Sequence, residues 1–214
     1  MNDRAYTPPL GTGDTADYDR AIRRWTRELR WRRAMIELIA PRDGETVIDV
    51  GCGTGSFAVM LKAIAPGVRL IGIDPDDEAL AIARAKSEAS GADIRWERGF
   101  ARDIGSREAD IVVSSLMFHQ VPMAEKEAGL AAMHTALRPG GRLVIADYGR
   151  QRGVMRVLFR LTIQRLDGVV DTQPNADGIL PDLVQAAGFG NVREAERIRT
   201  VTGTIALIAA NRPG

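Results

Sequence analysis

The stretch VIDVGCGTG, residues 47–55, decides the fold. Thr46, Val47, Ile48 and Val50 make a short β-branched run that reads as a strand, and Gly51, Gly53 and Gly55 follow it at alternate positions before a helical stretch that opens near Ser56. Glycines lack a Cβ, so such a loop lets backbone come close to a ligand, and strand, glycine loop and helix together have the form of a nucleotide-binding unit. Gly53, Gly55 and Ala58 satisfy the loose pattern G-x-G-x-x-G/A, which alone is a weak signal. A second feature strengthens it. Asp74 closes the next β-branched run, nineteen residues after Gly55, where a carboxylate can accept two hydrogen bonds from a ribose diol. The pair points to an adenosine-type ligand.

Charge selects among such ligands. Asp49 stands two residues before the first glycine, and no lysine or arginine lies between Val47 and Leu61. A pyrophosphate favours helix N-termini and cations, and a carboxylate at the mouth of its loop repels it. An ammonium and a sulfonium favour the reverse. S-adenosylmethionine carries adenosine, no phosphate and two positive centres, so it suits this acid-headed loop better than NAD. The phosphate-cradling G-x-x-x-x-G-K-[ST] loop is excluded by the missing lysine.

Outward from the loop, short strands alternate with Ala-rich helices: residues 69–73 then 77–89, 93–97, 110–114 then 123–137, and 142–146. This alternation requires crossover connections and a parallel sheet. Beyond Tyr148 the rhythm changes. A helix is expected over 154–166, a polar loop over 167–178 and a helix over 181–187, then two strands, 192–200 and 202–210, too close for a crossover and so an antiparallel hairpin. Upstream, residues 1–18 read as a flexible leader. Residues 19–40 read as a basic amphipathic helix or helix pair with an apolar stripe of Ile22, Trp25, Leu29 and Ile36, placed to act as a lid over the cofactor mouth.

VIDVGCGTG, the acid in IGIDPDDEAL, the segment DIVVSSLMFHQVP, LRPGGRLVIADYG and the closing LPDLVQAAGF with its hairpin resemble, in order, the motifs of class I S-adenosylmethionine-dependent methyltransferases. The likeness runs from about residue 18 to residue 212. It implies a single-domain Rossmann-like α/β fold with a seven-stranded, mostly parallel sheet, a C-terminal antiparallel hairpin and helices on both faces, with residues 41–214 as the cofactor-binding core and 150–180 as a cover on the acceptor side. It also implies that Asp49, Gly51, Cys52, Gly53 and Gly55 enclose the methionine moiety, that Asp74 holds the ribose and Pro75 lies against adenine, and that Ala101 and Ser115 complete the cofactor site. One departure stands out. Where the family often has Gly-Asp-Ala, this chain has Gly99, Phe100 and Ala101, so adenine is held either by backbone near Ala101 with apolar contact or by Asp103 from a shifted loop. A looser similarity of residues 18–41 is to the quinone- and lipid-modifying branch of the family.

Methyl transfer asks the protein chiefly to align nucleophile, methyl and sulfur and to exclude water. Where the acceptor must lose a proton, His119 is the candidate catalytic base, because it follows the fourth strand at the edge where ligands of open α/β sheets bind. The alternatives are a NAD(P)-binding oxidoreductase and a non-catalytic S-adenosylmethionine-binding module. The first lacks a tyrosine with a lysine four residues on.

Composition bounds the rest. The 214 residues are 45% hydrophobic and 27% charged, which fits one soluble domain, and no apolar run approaches the about 20 residues that span a bilayer. One cysteine, Cys52, excludes an internal disulfide and a multi-cysteine metal site and, with no export signal, fits a cytoplasmic enzyme. Basic and acidic residues nearly cancel, 29 against 28, which argues against nucleic acid as a partner and leaves a small-molecule acceptor. Locally, seven arginines against two acids over residues 19–33 make a transient membrane-surface contact conceivable for this segment.

Overall fold

The computed structural model describes residues 26–214. The expected leader, and the part of the basic segment that holds Ile22 and Trp25, lie outside the described residues. The chain then runs α1 (Glu28–Ile39), β1 (Thr46–Val50), α2 (Ser56–Ile64), β2 (Arg69–Asp74), α3 (Asp77–Ser90), β3 (Arg95–Arg98), β4 (Ala109–Ser115), α4 (Met123–Ala136) and β5 (Leu137–Tyr148). After β5 come α5 (Gly153–Leu161), α6 (Ile163–Asp167), α7 (Val169–Asp177), α8 (Leu180–Ala186), β6 (Gly190–Thr200) and β7 (Gly203–Asn211). Single 3-10 turns, Ala101–Asp103 and Phe118–Gln120, follow β3 and β4.

Seven strands form one sheet in the order β3-β2-β1-β4-β5-β7-β6. The pairings from β3 to β5 are parallel, and β7 is antiparallel to both β5 and β6, so the expected hairpin closes the sheet. Strand order reverses between β1 and β4, which opens a crevice at the carboxyl edge there. Alternate strand residues feed two apolar layers. Ile111, Val113, Val144, Ala146 and Leu207 face a layer with Trp31, Phe57 and Leu61. Val112, Leu143, Ile145 and Ile208 face one with Leu130, Met133 and Val184. Burial on both sides explains why β4 reads as a continuous apolar run.

Three expectations are corrected. Residues 167–178 are helical, not a loop: α7 buries Thr172 and Asn175 completely, so its inward face is polar and escapes a search for apolar periodicity. The helix expected over 154–166 breaks at Thr162, whose hydroxyl donates to the Leu158 carbonyl at 2.7 Å. In the described part of the basic segment α1 starts after Arg27, whose φ of 55° is left-handed, and the stripe it buries differs from the expected one. Its buried stripe is Trp31, Met35, Ile36 and Ile39, while Leu29 is 53% exposed.

Candidate active site

The glycine loop is held by the end of β2. Gly51 and Cys52 donate to the Ile73 carbonyl at 2.8 and 3.1 Å, and Gly53 N–H donates to Asp74 Oδ2 at 2.8 Å. Asp74 Oδ1 accepts from Asp76 N–H at 3.0 Å. Asp74 therefore staples the loop as well as facing the crevice, and its remaining lone pairs are what it can offer a diol. All three glycines have positive φ, 69°, 52° and 72°, but for different reasons. A Cβ on Gly51 would strike Met117, and one on Gly55 would strike Trp96 at 2.5 Å and Ala83 at 2.8 Å, whereas one on Gly53 would meet nothing within 4 Å. Gly53 thus faces open space on the ligand side, and Gly55 is a packing glycine at the start of α2.

Gly51, Gly53, Thr54, Asp74 and Pro75 line a cleft together with Phe100, Ala101, Ser115, Leu116, Met117 and Val121. A smaller recess beside it is lined by Trp31, Arg32, Cys52, Ser56, Ser115 and the glycine loop, so α1 does reach the cofactor mouth. Arg32 is largely buried and paired with Glu28 at 2.6 Å, so at least one arginine of the basic segment is structural rather than solvated.

Asp49 lies fully buried under the loop, and among the described residues neither carboxylate oxygen has a hydrogen-bond partner. Burial pushes its carboxyl up to about 7; Arg32 pulls it back and Asp74 adds to the rise. Burial likewise lifts Asp74 to about 6 against the backbone N–H groups of Asp76 and Gly53. Two carboxyls held above their usual range, one with orphaned oxygens, make a site short of positive charge. Burial first, and then these two acids, raise the Cys52 thiol well above its usual range, so it stays protonated.

Beside Phe100, Asp103 does not line the cleft, and its side chain is 60% exposed. The carboxylate that lines the cleft there is Glu125 of α4, which the sequence reading missed and which accepts from Arg102 at 2.5 Å while the Arg102 guanidinium lies 4.4 Å from the Phe100 ring centre.

His119 does not line the cleft. Only 2% exposed, it sits with Nδ1 2.8 Å from Asp147 Oδ1 and Nε2 3.5 Å from Asp167 Oδ2. Burial alone would lower its pKa, but the charge and hydrogen bond of Asp147, then those of Asp167, overcome this and raise it to about 9. Both ring nitrogens face carboxylates, so in this arrangement His119 braces the turn after β4 and presents no nitrogen to the cleft. Asp147 also accepts from the Phe118 and Tyr148 amides, both at 2.7 Å, and from Asn175 of α7 at 3.3 Å. Lys126, fully buried, donates to the carbonyls of Phe118, Val121 (2.7 Å) and Asp171 (3.0 Å). Neither Lys126 nor Asp167 carries a motif by which sequence alone would single it out. Together these residues lock the turn after β4 to α6 and α7.

A methyltransferase-domain family model matches residues 47–141, from β1 into β5. A demethylmenaquinone methyltransferase of Thermus thermophilus is 32% identical over 164 residues, spanning 74% of this chain and 74% of that enzyme. The chain belongs to the class I S-adenosylmethionine-dependent methyltransferases. Among solved structures, a possible exported protein of Bordetella parapertussis is 26% identical over 97% of this methyltransferase and 77% of that chain, with a TM-score of 0.68. The phosphoethanolamine N-methyltransferase 2 of Haemonchus contortus with bound S-adenosylmethionine, 16% identical, shares the fold at a TM-score of 0.69 over 86% of this chain and 53% of that one. The cofactor of this methyltransferase is S-adenosylmethionine, which supplies a methyl group activated by its sulfonium. The orphaned Asp49 oxygens and the open face of Gly53 fit a ligand with an ammonium and a nearby positive sulfur.

Proposed function

We propose that this methyltransferase acts on a lipophilic small molecule of the demethylmenaquinone type. The observation that carries the reading is the extent of the likeness to the Thermus enzyme, which covers nearly three quarters of both chains. Leu116, Met117 and Val121 supply an apolar wall to the cleft, and α5 to α7, tied to that wall by Lys126 through the carbonyls of Val121 and Asp171, act as the acceptor-side cover. From beneath the glycine loop Asp49 balances the ammonium of the cofactor, Gly51, Gly53 and Cys52 flank its methionine part, and Asp74 accepts from the ribose diol. Pro75, Phe100 and Ala101 sandwich adenine, with Glu125 as the nearby acceptor and Ser115 at the methyl end. Gly55 shapes the loop from behind. His119 acts as a positioning residue: through Asp147 it fixes Phe118 and hence the wall at Gln120 and Val121. A cytoplasmic enzyme meeting its acceptor at a membrane surface fits the single cysteine and the absence, among the described residues, of any helix long and apolar enough to span a bilayer.

The test is a rate comparison at saturating S-adenosylmethionine between a reduced demethylmenaquinone, its tail-less analogue and small water-soluble phenols and amines. Turnover highest on the tailed quinol supports the reading, and a preference for a polar amine removes it.

A further inference from the structure

Helix α5 has a wider apolar arc than the core uses. Phe159 is buried, yet Val154, Val157 and Leu161, which share a stripe by their spacing of three and four, stand 71%, 55% and 64% exposed. The apolar surface continues through Leu166 of α6 and Val169 and Val170 of α7, the last 85% exposed, and Val201 protrudes from the β6–β7 turn, whose neighbour Thr202 accepts through its carbonyl from Thr162 at 3.3 Å. Isolated exposed valines are ordinary; a contiguous set on consecutive helices is not. The charges of this segment are one-sided. Residues 150–170 hold five arginines and one acid, Asp167, which is buried against His119. Arg152, Arg156, Arg160 and Arg165 are exposed beside the apolar stripe, and among the described residues the acid paired with one of them is Asp177, 3.6 Å from Arg156 and itself half exposed.

We infer that the face formed by α5, α6 and the start of α7 docks on an anionic phospholipid surface, with Val154, Val157, Leu161, Val169 and Val170 entering the acyl boundary and Arg152, Arg156, Arg160 and Arg165 reaching the phosphates. Guanidinium groups flanking protruding aliphatic side chains match a layer with anionic headgroups outside and hydrocarbon beneath. The face is also coupled to the cleft: Lys126 bonds both the Asp171 carbonyl on α7 and the Val121 carbonyl of the cleft wall, so a membrane-dissolved acceptor would approach the cleft beside this cover. The inference extends the lipophilic-acceptor reading but stands on the surface itself, and it is tested without acceptor or cofactor.

The experiment is co-sedimentation of the full chain with phosphatidylcholine vesicles prepared with and without phosphatidylglycerol, at low and raised salt. Binding is expected to need phosphatidylglycerol and to fall with salt, and Arg160→Gln and Arg165→Gln are each expected to weaken it roughly fivefold. Val154→Ser with Val170→Ser should weaken it further at unchanged charge. Each variant is read beside its S-adenosylmethionine affinity, which stays unchanged because none of these residues lines the cleft. No binding to phosphatidylglycerol vesicles at low salt overturns the inference. So does binding that ignores all four substitutions but disappears when residues 1–25 are removed, which would put the contact on the N-terminal arginines. A dimer in sedimentation velocity that Val154→Ser with Val170→Ser dissociates, without vesicle binding, would make the face an interface between copies and likewise overturn it.

Discussion

His119 Nδ1 lies 2.8 Å from Asp147 Oδ1, with both side chains nearly inaccessible to solvent, while the other oxygen of the same carboxylate takes the Phe118 amide at 2.7 Å. One aspartate thus fixes both the imidazole and the backbone of the turn that carries it. The imidazole pKa rises in the fold from its ordinary 6.5 to about 9. The stability this contributes is fully present below about pH 6.5 and is lost as pH rises through 9. The urea midpoint of the wild type should therefore decline across that window more steeply than that of His119→Gln. At pH 6 the variant should be destabilised by about 3 kcal/mol, since it leaves two buried carboxylates without their cation. Parallel pH profiles for the two proteins would contradict the pairing.

Burial disfavours the charge of Asp49 and pushes its carboxyl up to about 7. Binding of a cationic amine stabilises the carboxylate, so below about pH 7 S-adenosylmethionine should bind with proton release and its affinity should rise with pH through that value. Calorimetry in two buffers of different ionisation enthalpy reads the proton count directly. Asp49→Asn should abolish the release and weaken binding about tenfold or more, given about 1.5–3 kcal/mol for a charged hydrogen bond. Equal proton release by the variant would place the titrating group elsewhere.

Gly53→Ala and Gly55→Ala separate ligand space from packing. Both glycines have positive φ, and each alanine incurs about 1–2 kcal/mol of backbone strain. Gly53→Ala puts a methyl into the open cleft, so cofactor affinity should fall sharply with only that loss in stability. Gly55→Ala drives Cβ against Trp96 and Ala83 and should add about 1–3 kcal/mol of overpacking. Thermal unfolding beside cofactor titration distinguishes them, and the reverse ranking in stability would refute the assignment.

Lys126 donates to three carbonyls from two segments, Phe118 and Val121 on one and Asp171, 45 residues from the lysine, on the other. Lys126→Met keeps the volume and orphans those carbonyls, at about 1–3 kcal/mol for each buried group left unpaired. Limited proteolysis should then cut within residues 150–178 faster than in the wild type. An unchanged cleavage rate would show that the cover is held by other contacts.

These braces mark where the sequence was legible and where it was not. Strands β1, β2, β4 and β7 announce themselves by apolar residues that the helical layers cover, and the loop from Gly51 to Gly55 by alternate glycines. The hairpin followed from two strands with no room for a crossover. By contrast α7 turns Thr172 and Asn175 inward to a polar network, so its helical period carries no apolar mark, and Pro174 within it favours reading a loop. His119 was found by position, but its role depends on Asp167, 48 residues downstream, whose approach only the packing of α6 creates. Phe100 was visible as a departure, whereas Glu125, supplied by the next helix across the cleft, was not.

The most direct test of the account follows the methyl group itself: the full chain is incubated with methyl-labelled S-adenosylmethionine and reduced demethylmenaquinone in phosphatidylglycerol vesicles, and label is counted in quinone and cofactor product. The account predicts one labelled methyl in the quinone for each S-adenosylhomocysteine formed, and loss of both in Gly53→Ala. Tight S-adenosylmethionine binding with no label in the quinone, under conditions where the Thermus enzyme transfers it, would contradict the proposed acceptor.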